Sequence, residues 1–270
     1  MKVVVGCGDS FVFGTELRDQ TYGTPSKNTF PALLAQDAGL PYACTAKAGA
    51  SNSTIARHTL NYCETHKDIE KYLIVSWTFA NRFEFKFEES NWSNDGGWES
   101  INVWNLQEAE EIRNQFKNFD EKTLQDQLRT NARFKRTGLY EFSKSFFKHV
   151  ASYEYWETYN SLRDIVLLQN YLDLNKISYI FTFADNSLID NYTTNNPDTS
   201  ISSLLNQIKL PDWFSFSGDP NMDGKHRKGF YQWALENKYK IGATHPLEGA
   251  HADAAQLMKE KFYDMVKKSN

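Results

Sequence analysis

Ser10 follows a run of β-branched residues, Val3, Val4 and Val5, that breaks at Gly6 and delivers Gly8-Asp9-Ser10. A strand, a tight glycine turn and then a hydroxyl present a serine at the carboxyl edge of a sheet, clear of flanking side chains. A serine hydroxyl is a poor nucleophile until a base takes its proton, so this chemistry requires a histidine brought to the same edge. The chain has six histidines: His58, His66, His149, His226, His245 and His251. His245 stands out because His245-Pro246 lies in the segment from Gly242 to His251, immediately before the last predicted helix. The proline fixes that loop and biases His245 toward an extended conformation. His251 falls in the first turn of the helix, where a structural role is expected. His226, in an Asp-Gly-Lys-His-Arg context, is expected to face solvent, and His58, His66 and His149 sit on apparent helical faces.

The elements that must position these groups alternate. After the glycine turn, Phe30 to Ala38 repeats apolar residues at helical spacing, with Asn28-Thr29 as amino cap and Gly39 as stop. Leu40 to Ala46 reads as a short strand. Gly49-Ala50-Ser51-Asn52-Ser53 then breaks it and opens a second helix, with Ser51, Asn52 or Ser53 as cap. Tyr72 to Trp77 is a continuous apolar run of the kind parallel strands show. From about Phe83 to His149 the pattern becomes charged and aromatic, with a turn at Asn94-Asp95-Gly96-Gly97, and is expected to be an insertion or cap at 83–150. The alternation resumes with a helix over 154–174 and a strand from Ile177 to Phe183. A polar loop from Thr193 to Thr199, a short helix from Ser202 to Ile208, an irregular loop over 218–224 and a last helix from about Ala250 to Lys267 follow. Strand and helix in alternation predict an α/β fold, a parallel sheet with helices on both faces, because right-handed crossovers are strongly preferred. In such sheets the loops carrying Ser10, Gly49 and Thr78 lie at carboxyl ends and should converge.

Composition excludes several classes. With 270 residues at 40% hydrophobic, one core-bearing domain is expected. Lys+Arg 30 against Asp+Glu 34 leaves a net charge of −4, with no strong field for nucleic acid or an anionic membrane. The three cysteines, Cys7, Cys44 and Cys63, lack metal-ligand spacing and an even count, and read as buried thiols of a reducing compartment. The amino terminus starts directly in strand one, so neither a signal peptide nor a membrane span is expected, which suits the cytoplasm. Nothing implies a metal or cofactor: G-x-G-x-x-G would need glycine at Phe11, and a Walker lysine and H-E-x-x-H are both missing.

The Gly-Asp-Ser triplet after strand one, the glycine loop at Gly49 and the His245-Pro246 loop before the last helix together resemble the SGNH/GDSL hydrolase superfamily. The resemblance covers residues 1–82 and 154–270. It implies a three-layer α/β/α fold with a parallel, flavodoxin-like sheet, to which residues 83–150, matching no block of the family, are expected to add a mostly helical insertion. It also implies a serine esterase working through an acyl-serine, with Ser10 as nucleophile and His245 as base. The oxyanion would be held by the backbone N–H of Ser10, that of Gly49 and a side chain after strand three.

Two departures stand out. The family's aspartate three positions before the histidine is Gly242 here, leaving a Ser-His dyad or a substitute acid among Asp219, Asp223, Glu248 and Asp253. The family's asparagine aligns with Thr78, whose hydroxyl could donate one hydrogen bond, with Asn52 and Asn81 as rivals. Asp9, Trp77, Arg82 and His251 are further residues expected to support the site or its substrate. Aromatic residues at 15%, including 7 Trp and 14 Tyr, suit sugar contacts as well as cores, so the expected substrate is an acyl ester, such as an O-acetyl group on a carbohydrate. The lost acid and altered third block equally permit an SGNH-fold protein that binds without catalysing.

Overall fold

A computed structural model describes residues 1–21, 23–87, 95–117, 121–136, 138–151, 154–186, 188, 199–216 and 228–268. These form two compact units, Met1–Ala80 with Thr158–Asn270, and Asn81–Glu157. The first unit is α/β and carries Ser10, Gly49, Thr78 and His245.

Its sheet has four strands: β1 (Lys2–Cys7), β2 (Tyr42–Cys44), β3 (Glu70–Trp77) and β6 (Ser178–Phe183). They lie in the order β2-β1-β3-β6, all parallel, with Val5 opposite Ala43 on one side and Leu73 on the other. Beyond β6, Phe181 bridges Trp213 in parallel, a single rung of pairing past the fourth strand. Continuous apolar sequence gives continuous burial: seven of the eight residues of β3, Lys71 to Trp77, are buried, as strands covered on both faces require.

Side chains alternate between faces along each strand. Val4, Tyr72, Ile74 and Ile180 share one cluster with α2 (Phe30–Asp37), α9 (Phe230–Glu236) and α10 (Glu248–Lys268). α3 (Asn52–Thr65) contacts β1 and β3 and is tied to α7 (Glu154–Leu174) through Asn52 and Ser161. Phe30, Tyr72, Trp77, Phe230 and Phe262 are among the largest fully buried side chains, each adding about 1.5–3 kcal/mol by leaving water. Much of the high aromatic content is therefore core.

The predicted elements recur with trimmed ends. Leu40 to Ala46 keeps only three residues as strand, and the helix expected over 202–208 is α8 (Thr199–Leu205). Within 193–199 only Thr199 is described; the loop at 218–224 and Asn94 of the predicted turn lie outside the described residues.

The second unit contains α4 (Ala109–Gln115), α5 (Glu121–Lys135), α6 (Leu139–His149) and an antiparallel pair, β4 (Arg82–Lys86) with β5 (Trp98–Asn102). Arg82-Phe83-Glu84-Phe85-Lys86 alternates polar and apolar with period two, the signature of a half-buried strand. Its phenylalanines pack into the unit's own core: Phe83 and Phe85 each lie 5.0 Å from Phe146, with Phe85 4.9 Å from Phe142.

His251 shows how the helix ends of the first unit are satisfied. The first N–H groups of a helix have no internal acceptor, and Thr29 makes no side-chain cap for α2. Instead the N–H of Phe30 donates to Nδ1 of His251 at 3.3 Å, and the imidazole stacks on Phe30 with ring centroids 6.0 Å apart. Burial, with a smaller contribution from His245, lowers the His251 pKa to about 3. An unfolded imidazole titrates near 6.5, so the unfolded chain binds the extra proton between these values. The stability from the neutral ring is complete above about pH 6.5 and lost as pH falls toward 3, at up to about 1.4 kcal/mol per pH unit. Urea unfolding at pH 7 and pH 5 is expected to show that loss, and His251→Gln, which keeps an acceptor without titrating, is expected to shrink it. An unchanged slope in the variant would assign the loss to other groups.

Candidate active site

Ser10 opens a single-turn helix, α1 (Ser10–Phe13), at the carboxyl end of β1. Asp9 is its amino cap: Oδ1 accepts the N–H of Phe11 at 3.0 Å, as short polar side chains do at that position. The other oxygen, Oδ2, accepts the hydroxyl proton of Thr78 at 2.6 Å. Both residues are fully buried. Thr78 is held in turn by Asn52, which accepts its N–H at 2.8 Å and donates to its carbonyl at 3.2 Å. Asn52 donates also to Ser161 Oγ at 3.0 Å. One chain of hydrogen bonds thus runs from the start of α1 across the end of β3 to α3 and α7.

These contacts occupy two side chains expected near the oxyanion. A hydroxyl has one proton to give, and that of Thr78 goes to Asp9. Both donor hydrogens of Asn52 are engaged likewise. The two residues hold the serine loop in place.

The Gly49 loop does adjoin the serine loop. Thr45 N–H donates to Gly6 O at 2.9 Å and Lys47 N–H to Gly8 O at 3.1 Å, extending the β1–β2 pairing past both strands. Gly49 has φ +76, a conformation costly for other residues, and no atom lies within 4 Å of where a Cβ would stand. Ser51 then caps α3 by accepting the N–H of Thr54 at 3.1 Å. Among the described residues, the N–H groups of Ser10 and Gly49 make no backbone hydrogen bond.

His245 sits in a loop pinned at both ends. Ile241 bridges Pro246, Gly242 N–H donates to His245 O at 2.8 Å, and Leu247 N–H donates to Lys240 O at 3.0 Å. The imidazole packs edge-on against Phe11, the residue after Ser10, with centroids 5.1 Å apart. Its Nδ1 lies 2.7 Å from Oε1 of Glu16. With Nδ1 facing a carboxylate, the ring keeps its proton there and leaves the Nε2 lone pair free, the tautomer a general base requires.

No motif pointed to Glu16. Its carboxylate accepts four hydrogen bonds from the His245 loop: from Ala243 N–H, from Thr244 N–H at 3.2 Å, from Thr244 Oγ at 3.1 Å and from His245. Burial alone would raise its pKa, but the hydrogen bond and charge of His245 and the bonds from Thr244 outweigh that and hold it below the usual range. The stability it lends is present above that usual range and lost as pH falls through the depressed value. Glu16 reaches this place with φ +73, a conformation that costs of order 1–3 kcal/mol outside glycine. A Cβ at Gly242 would collide with Glu16 Oε2. Of the acids expected from sequence, Glu248 accepts the Arg18 N–H at 2.9 Å and Asp253 the Tyr239 hydroxyl at 2.5 Å, so neither serves His245. Asp219 and Asp223, like His226, lie outside the described residues.

The remaining residues divide by environment. Trp77, expected to support the site or its substrate, is fully buried with its ring 5.2 Å from Phe181, a place in the core. Asn81 and Arg82 belong to the second unit, where the Arg82 guanidinium lies 5.5 Å from the Trp104 ring centroid. His58 meets the Thr45 carbonyl at 3.1 Å, and His66 stacks on Tyr62. Burial pushes the Cys7 thiol to about 12 and the Cys63 thiol to about 11, which leaves both unreactive at neutral pH. Among the described residues no group of three or more His, Cys, Asp or Glu is placed to hold a metal ion, and no helix is long and apolar enough to cross a membrane.

No family model matches the chain, and neither does any curated protein. Among solved structures it is similar to a lipolytic protein of the G-D-S-L family from Desulfitobacterium hafniense, at 13% identity and TM-score 0.41, covering 96% of this chain and 98% of that one. It is similar also to the psychrotrophic esterase EstA from Pseudoalteromonas sp., at 12% identity and TM-score 0.37, covering 98% and 97%. A third is phospholipase A1 from Streptomyces albidoflavus, at 11% identity and TM-score 0.35, covering 96% and 98%.

Thr78→Val removes one donor to the buried Asp9 carboxylate while keeping shape. It is expected to cost about 1.5–3 kcal/mol, as for hydrogen bonds to charged groups, measured by urea unfolding. A change below about 0.5 kcal/mol, the level of neutral surface substitutions, would show that the bond contributes nothing.

Proposed function

We propose that this chain is a serine ester hydrolase of the SGNH/GDSL kind, with Ser10 as nucleophile and His245 as general base. The observation that carries this is the packing of the His245 ring on Phe11, the neighbour of Ser10, with Nδ1 engaged and Nε2 free. The Ser10 Oγ attacks the acyl carbonyl as Nε2 takes the hydroxyl proton. The carbonyl oxygen gathers negative charge and is met by the N–H groups of Ser10 and Gly49, each such donor being worth about 3–4 kcal/mol in favourable cases. The tetrahedral adduct collapses, the ester C–O bond breaks, and Nε2 returns the proton to the leaving alkoxide. Water then attacks the acyl-serine with the same base, releasing the carboxylic acid and restoring Ser10.

Two donors, both backbone, replace the three that the resemblance implies. That supports a working but weak oxyanion site, and it is also the observation that favours a non-catalytic binding protein. The substrate class is an acyl ester of a small molecule. A carbohydrate O-acetyl group rested on aromatic content, and Trp77 lies in the core.

A fluorophosphonate probe and a p-nitrophenyl acyl ester series separate the two. Wild type is expected to label and turn over. Ser10→Ala is expected to lose labelling completely and turnover by roughly 10³-fold or more, with His245→Ala close behind. A folded wild type that neither labels nor turns over would establish the binding protein instead.

A further inference from the structure

We infer that Glu16 is the positioning acid of the Ser10–His245 pair, and that residue 242 is glycine because the acid arrives from residue 16. This rests on the esterase reading of the site. Three observations support it, each independent of titration. The Glu16 carboxylate meets Nδ1 of His245 at 2.7 Å, the nitrogen an orienting acid must hold. The same carboxylate is anchored by the N–H groups of Ala243 and Thr244 and by the Thr244 hydroxyl, so it fixes the loop as well as the ring. Its side chain occupies the space that any side chain at 242 would need. A side chain at 242 and the Glu16 carboxylate in its present bonds would compete for one space.

The arrangement puts nucleophile and acid on one loop. Ser10 begins α1 and Glu16 lies six residues on, past the end of that turn, where Gly14 at φ +78 donates its N–H to the Ser10 carbonyl. Glu16 takes up a left-handed conformation and its side chain crosses to the His245 loop. A residue tolerating that backbone for the sake of a surface ion pair would be unusual, since exposed pairs contribute little. Strained positions are instead concentrated where surrounding structure uses them. The titratable groups interacting with His245 among the described residues are Glu16, from the loop after α1, and His251, from α10. His251 is neutral at working pH, so Glu16 is the charged one of the two.

The test combines kcat, KM and fluorophosphonate labelling of Ser10 across variants. Glu16→Gln keeps size and one acceptor and removes the charge. It is expected to lower kcat by roughly 10²- to 10⁴-fold with KM little changed, as orienting acids do. Gly242→Asp alone is expected to lower activity by displacing Glu16. In a Glu16→Ala background the same Gly242→Asp is expected to restore at least about 10-fold of the lost kcat, because the space is then open. That rescue also decides the matter should Glu16→Gln fail to fold. A folded Glu16→Gln with the kcat of wild type, or Gly242→Asp giving no rescue over Glu16→Ala, would overturn the assignment while Ser10 labelling stands. A wild type without Ser10-dependent labelling would fail the esterase reading itself, a different result.

Discussion

A carboxylate with no exposure to solvent is tolerable only where donors surround it, and Asp9 is such a group. It caps α1 through Phe11 and reaches across to Thr78 at the end of β3. Two bonds to a charged acceptor, at about 1.5–3 kcal/mol each, set the start of α1 against the neighbouring strand. Because Thr78 is itself clasped by Asn52, and Asn52 by Ser161, the same constraint reaches α3 and α7. The direction in which Ser10 leaves the sheet is fixed by this chain, and so is the approach of the glycine loop ahead of α3.

In the proposed esterase that rigidity would leave a reduced oxyanion site. The Thr78 hydroxyl proton and both Asn52 amide protons are engaged within this chain of bonds. The proposed donors for a developing oxyanion are then backbone: the N–H groups of Ser10 and Gly49. Backbone donors are preorganised and need no reordering as charge develops, so two of them can serve, with less total stabilisation than three.

The strands and the serine were legible because their signals are local. A β-branched run, a glycine break and a continuous apolar third strand each encode one element, and β1, β3 and β6 appear close to where they read. His245 was legible for a similar reason, since a loop before a long helix leaves a local trace. The β4 strand was equally local in Arg82 to Lys86, with period-two alternation, but charge and aromatic density masked it. The partner of Thr78 was not legible, because alignment to a motif position says where a side chain starts and not which neighbour claims its proton. Asp9 sits 69 residues away in sequence.

Glu16 was illegible for a deeper reason. Its partner is 229 residues distant, its backbone conformation is one a non-glycine residue seldom adopts, and the sequence offers only an unremarkable acid after a helix turn. The trace that did exist was negative: a glycine at 242, where an acid was expected, with four other acids, Asp219, Asp223, Glu248 and Asp253, to distract. A glycine in a loop is commonly read as conformational freedom. Here Gly242 is needed for the opposite reason, because its missing side chain is the volume another residue's carboxylate fills. An absent side chain at a site is therefore informative about what occupies the space, and the residue to look for is the one whose own backbone is strained to reach it.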